Sequence, residues 1–64
     1  MILNDEYITA VSMACLELLR EGETIKLSNL SKKSGISLAS LKSDFETVGN
    51  IVVAIENYYN YVLL

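Results

Sequence analysis

Sixty-four residues, 52% of them hydrophobic and carrying a formal net charge of −3, are enough for one domain and too few for two. A domain this small buries only about 60% of the surface of its unfolded chain, so it commonly leans on a disulfide, a metal or a partner subunit. One cysteine and no histidine exclude an internal disulfide and a zinc site of ordinary ligands, which leaves self-association.

The chain opens Met1-Ile2-Leu3-Asn4-Asp5-Glu6, without the basic start and apolar core of a signal peptide. Asn4 is a good N-cap, and Asp5 and Glu6 suit the positive end of a helix dipole. Ile8, Val11, Cys15, Leu18 and Leu19 then recur at helical spacing, with Tyr7, Ala14 and Leu16 widening the stripe. Gly22 offers the left-handed residue of a helix stop, so the first helix is predicted over 5–21.

A polar link, Glu23 to Lys26, leads to a second helix over 27–34, in which Leu27 and Leu30 are the apolar pair and Gly35 the stop. Ile36 occupies the turn, and Ser37 caps a third helix over 38–45 whose inward residues are Leu41 and Phe45. Thr47 caps the fourth helix, 48–63, with Asn50 where a capping box holds Glu or Gln. The β-branched run Ile51-Val52-Val53 taken alone suits a strand as well. Ile51, Val52, Ile55, Tyr59 and Val62 nevertheless continue at helical spacing, broadened by Val53, Ala54, Tyr58 and Tyr61. The expected fold is all-α, four helices making a single helix-turn-helix domain over residues 1–64. No run approaches the roughly 18 apolar residues of a membrane span, so no membrane partner is expected. The lone cysteine fits a reducing, cytoplasmic setting.

Two short helices about a glycine-containing turn, here within 27–45, form the pattern of a DNA-reading unit, whose second helix enters the major groove. The same spacing also describes a plain helical hairpin with a solvated polar face. Leu27, Leu30, Ile36, Leu41 and Phe45 form the expected buried side; Ser37, Leu38, Ser40, Lys42 and Ser43 face outward. Charge is unevenly spread. Thr24 to Ser43 holds Lys26, Lys32, Lys33 and Lys42 and no carboxylate, whereas the remainder sets Arg20 against eight carboxylates. A continuous strip of those four lysines suits DNA; neutralisation of it by Asp44 and Glu46 suits a protein partner.

Leu16-Glu17-Leu18-Leu19-Arg20-Glu21-Gly22, Leu30-Ser31-Lys32-Lys33-Ser34-Gly35-Ile36-Ser37 and Leu38-Ala39-Ser40-Leu41-Lys42-Ser43-Asp44-Phe45 follow one another in this order, with Thr47 as the next cap and Asn50-Ile51 beyond it. Together they resemble the helix-turn-helix region of the tetracycline-repressor family, whose middle segments are usually written I-A-x-x-A-G-V-S and x-G/A-T-L-Y-x-x-F. The likeness covers roughly residues 10–56. It implies a homodimer that reads a palindromic DNA site through helix 3, and the regulator expected from so short a chain is repressor-like and suited to a phage or plasmid. By position it implies phosphate contacts from Ser37, Ser40, Lys42 and Ser43, an approach to the bases by Leu38 and Ala39, and a phosphate reached by Lys26, where the family usually caps helix 2 with Thr or Ser. Lys42 stands in place of the family's Tyr, and Val48 in place of a common Lys. The family's C-terminal ligand-binding part has no counterpart in residues 1–64, so no small-molecule effector is inferred.

The tail Asn57-Tyr58-Tyr59-Asn60-Tyr61-Val62-Leu63-Leu64 is the other informative stretch. Tyrosine is enriched at interfaces, since its ring buries area while its hydroxyl stays satisfied. Ile51, Ile55, Tyr58, Tyr59, Tyr61 and Val62 are therefore the expected dimer interface on helix 4, unless these rings simply cover helix 1. No catalytic residue and no cofactor are expected: histidine is missing, Cys15 lies on the apolar stripe, and neighbouring carboxylates such as Asp5 and Glu6 occupy capping or solvated positions. Two functions remain, a small dimeric DNA-binding regulator and a protein-binding module that uses its acidic surface and Tyr-rich helix 4.

Overall fold

The computed structural model describes the backbone of residues 5–63 and the side chains of residues 6–60. Four helices follow in chain order, α1 (Asp5–Glu21), α2 (Leu27–Ser34), α3 (Leu38–Phe45) and α4 (Val48–Leu63), at the bounds the sequence predicts. No strand occurs among the described residues. Within that region no helix is long and apolar enough to cross a membrane. The expected cap Asn4 and the side chains of Tyr61 and Val62 lie outside what is described.

Local chemistry sets the helix ends. At the end of α1, Gly22 takes φ +72°, its N–H donates to the Leu19 carbonyl at 3.2 Å, and the Glu23 N–H donates to Leu18 at 2.9 Å. That pair of bonds is the Schellman arrangement, which a residue with positive φ makes possible. Thr47 accepts the Asn50 N–H on its hydroxyl at 3.2 Å and so caps α4 as expected. The Asn50 side chain, however, does not complete a capping box. It donates to the Phe45 carbonyl at 2.6 Å instead.

Val11, Ala14, Cys15 and Leu18 of α1 meet Leu30 of α2, Leu41 and Phe45 of α3, and Ile51 of α4 in one buried cluster. Leu27 and Ile36 pack partly buried against it, so the five residues expected on the inner side of the helix-turn-helix all face the core. Burying side chains of this size contributes about 1.5–3 kcal/mol each relative to exposure. Ser12 is buried too, and its hydroxyl is satisfied by the Ile8 carbonyl one turn back, at 2.8 Å.

The stripes on the two long helices are narrower than the sequence suggests. Leu19 is 62% exposed and Leu16 53%, although both were expected inward, and Met13 shares that outer face. On α4 the inward residues are Ile51, fully buried, with Ala54, Ile55 and Tyr58 half-buried, whereas Val52 and Tyr59 point outward. The physical reason is that two short helices cover only a limited arc of each long one, and periodicity widens a stripe without saying where cover ends.

Candidate nucleic-acid interface

The turn between α2 and α3 is held by hydrogen bonds from every residue in it. Gly35 caps α2 at φ +78°, and its N–H donates to the Ser31 carbonyl at 3.0 Å. The Ser31 hydroxyl donates to the Ile36 carbonyl at 2.6 Å, and the Ile36 N–H donates to the Ser34 hydroxyl oxygen at 3.1 Å. Ser37 then caps α3: its hydroxyl oxygen accepts the Ser40 N–H at 3.1 Å, and the hydroxyl donates to the Ser40 oxygen at 2.9 Å. Backbone polar groups in a turn need such partners, and their presence fixes the angle between the two short helices.

With Leu41 and Phe45 drawn into the core, the opposite side of α3 stands in solvent. Ala39, Ser40, Lys42 and Ser43 are exposed there, with Ser37 exposed at the helix start and Leu38 half-buried beside it. Lys42 is the only charge on this face. Asp44, the one acidic residue of α3, is half-buried and turned toward α1. The Tyr7 hydroxyl donates to its Oδ2 at 2.5 Å, and the Tyr7 ring meets Phe45 edge-on, centroids 5.9 Å apart at 78°. Burial, then that hydrogen bond and the carboxylate charge, push the Tyr7 hydroxyl up to about 12. Sequence inspection leaves Asp44 as a negative charge near the α3 surface, and only the long-range contact with Tyr7 removes it from the outer face.

The four lysines do not act alike. Lys26 is exposed at the extended residue before α2 and makes no side-chain cap there. Lys33 donates to the Glu21 carboxylate at 2.7 Å, a bond that raises the ammonium above its ordinary value. Lys32 and Lys33 share a groove with Leu18, Glu21, Glu23 and Asn29, in acidic company. Lys26, Lys32 and Lys42 have no salt bridge among the described residues. The neutralising carboxylates therefore come from the end of α1, and not from Asp44 and Glu46.

Of the residues expected at a dimer interface, Ile51 belongs to the core of its own chain and is unavailable to a partner. Ile55 and Tyr58 are half-buried, and Tyr59 is exposed, meeting Tyr58 edge-on with centroids 5.2 Å apart. Val52 and Val53, 43% and 53% exposed, add apolar surface on α4 that was not counted as interface from sequence. Cys15 is buried, and burial pushes its thiol up, which keeps it protonated at neutral pH.

Glu46, between α3 and α4, takes φ +70° and ψ −49°, and the Thr47 N–H donates back to the Phe45 carbonyl at 2.8 Å. This is a γ-turn of the strained hand at a residue with a full side chain. It allows α4 to start with only two residues between it and the end of α3.

No family model, no curated protein and no solved structure matches this chain.

Proposed function

We propose that this chain is a DNA-binding helix-turn-helix module of the tetracycline-repressor type, acting as a homodimer in transcription regulation in the cytoplasm. One observation carries this: α3 presents an outer face of Ser37, Ala39, Ser40, Lys42 and Ser43 whose only charge is positive, while Asp44 is held against α1 by Tyr7. Hydroxyls and a lysine are donors that phosphates accept, and a small residue such as Ala39 lets a helix approach base edges closely. Few cations serve each subunit. A dimer doubles them, and doubling is what brings such a surface to useful affinity.

A second function, binding of another protein, is favoured by one specific observation. Lys33 is neutralised by Glu21, and Lys32 lies in the same acidic groove, so α2 contributes little positive potential. The net charge of −3 points the same way.

The two are separated by titrating a fluorescent mixed-sequence duplex at two salt concentrations. DNA binding predicts that affinity falls with salt, at about 0.9 log units per log unit of salt for each phosphate neutralised. Lys42→Glu, at an exposed position, is expected to abolish binding while circular dichroism stays unchanged. Absent or salt-insensitive binding removes DNA and leaves the protein partner.

A further inference from the structure

Asp44 stands in the last turn of α3, where its charge opposes the negative end of the helix dipole. Ser40 lies one turn before it and Ser37 caps the helix, so Asp44 shares one edge of α3 with two hydroxyls of the outer face. Lys42, two residues away, projects about 160° around the helix axis from Asp44 and does not neutralise it. Among the described residues no lysine or arginine pairs with Asp44. Tyr7 supplies the restraint instead. Its ring sits edge-on to Phe45, and its hydroxyl donates to the Asp44 carboxylate. A phenylalanine would make the same ring contact, so the hydroxyl adds a grip on the carboxylate.

We infer that Tyr7 is a positioning residue for DNA binding: its hydroxyl holds the Asp44 carboxylate toward α1 and keeps a negative charge off the edge of α3 that faces phosphates. The inference rests on the proposed DNA-binding function and adds to it a residue of α1, away from the α3 surface. Without the hydroxyl, the carboxylate is free to take the rotamers that carry it over the Ser37 and Ser40 edge. At about 8 Å from a phosphate in water, one such carboxylate weakens binding roughly twofold before screening, and the two of a dimer weaken it about fourfold. The effect travels through charge and not through shape. It therefore vanishes when the charge is removed and shrinks as salt rises.

Titration of a fluorescent mixed-sequence duplex at 10 °C, in 50 and 300 mM salt, tests it with the parent, Tyr7→Phe, Asp44→Asn and the double variant, each checked for helix content by circular dichroism. At 50 mM salt the dissociation constant of Tyr7→Phe is expected about two- to fourfold above the parent's, and the gap narrows at 300 mM. Adding Asp44→Asn to Tyr7→Phe restores the parent's affinity, although the double variant lacks the same hydrogen bond. Asp44→Asn alone shifts affinity less than about twofold, because the charge is already held aside. Equal affinities for the parent and Tyr7→Phe overturn the inference. So does a loss that Asp44→Asn does not restore or that salt leaves unchanged, since the hydroxyl then acts through the fold. Asp44→Asn that tightens the parent as much as it tightens Tyr7→Phe overturns it too, because the charge then reaches the DNA with Tyr7 in place. A parent that binds no duplex removes DNA binding and this inference together; a parent that binds as well as Tyr7→Phe does removes the inference alone.

Discussion

Replacing Tyr7 by Phe removes one oxygen and leaves the ring. The edge-on contact with Phe45 at 5.9 Å survives, and what is lost is the hydrogen bond to Asp44 that ties α1 to α3. A hydrogen bond to a charged group contributes about 1.5–3 kcal/mol when well buried. Both partners are only half-buried here, and water reaches the orphaned carboxylate, so the expected loss is about 1 kcal/mol. Unfolding entropy of about 2.1 cal/mol/K per residue turns that into a Tm lower by roughly 7 °C for a chain of 64 residues. Thermal melts followed by circular dichroism at pH 7 read the difference directly. The pH dependence supplies an independent sign. The Tyr7 hydroxyl is raised from its ordinary 10 to about 12 in the fold, so its contribution is fully present below pH 10 and lost as pH climbs toward 12. The gap in Tm between parent and Tyr7→Phe is therefore constant up to about pH 10 and narrows above it. Equal melting temperatures at pH 7, or a gap that stays constant through pH 12, refute the coupling.

Gly35→Ala meets no atom within 4 Å of the added Cβ, so its cost is the left-handed backbone alone, about 1–2 kcal/mol, seen as a Tm lower by roughly 7–15 °C. An unchanged Tm means the turn relaxes out of positive φ. Glu46→Gly relieves the γ-turn at φ +70° but adds freedom to the unfolded chain, and the balance is a gain of up to about 1 kcal/mol. A lower Tm for this variant contradicts the strain assigned to Glu46.

Much of this fold is legible along the chain because its signals are local. Gly22, Gly35, Ser37 and Thr47 each end or start a helix through bonds within five residues of themselves, so their types and spacing suffice to place all four helices. The inner side of the helix-turn-helix is legible too, since each very short helix offers few large apolar residues, Leu27 and Leu30 on α2 and Leu38, Leu41 and Phe45 on α3. The long helices are different. Both carry apolar residues around most of their circumference, and the choice of Ile51 over Val52, or Leu18 over Leu19, depends on where the neighbouring helices lie. The pairs that decide the site, Tyr7 with Asp44 and Lys33 with Glu21, are 37 and 12 residues apart in the chain. Nothing in a linear pattern links them. Four lysines in one segment suggest a basic face, and their partition between the end of α1 and the outer side of α3 emerges only in three dimensions.

The claim that the outer face of α3 is the nucleic-acid surface is tested most directly by mapping amide chemical shifts of labelled protein as a short mixed-sequence duplex is added at low salt. The account predicts that the largest movements fall on Ser37 to Ser43, while Met13, Leu16 and Leu19 on the outer side of α1 stay still. Shifts gathered on α1 or along α4 with α3 unmoved, or no shifts at any duplex concentration, contradict it.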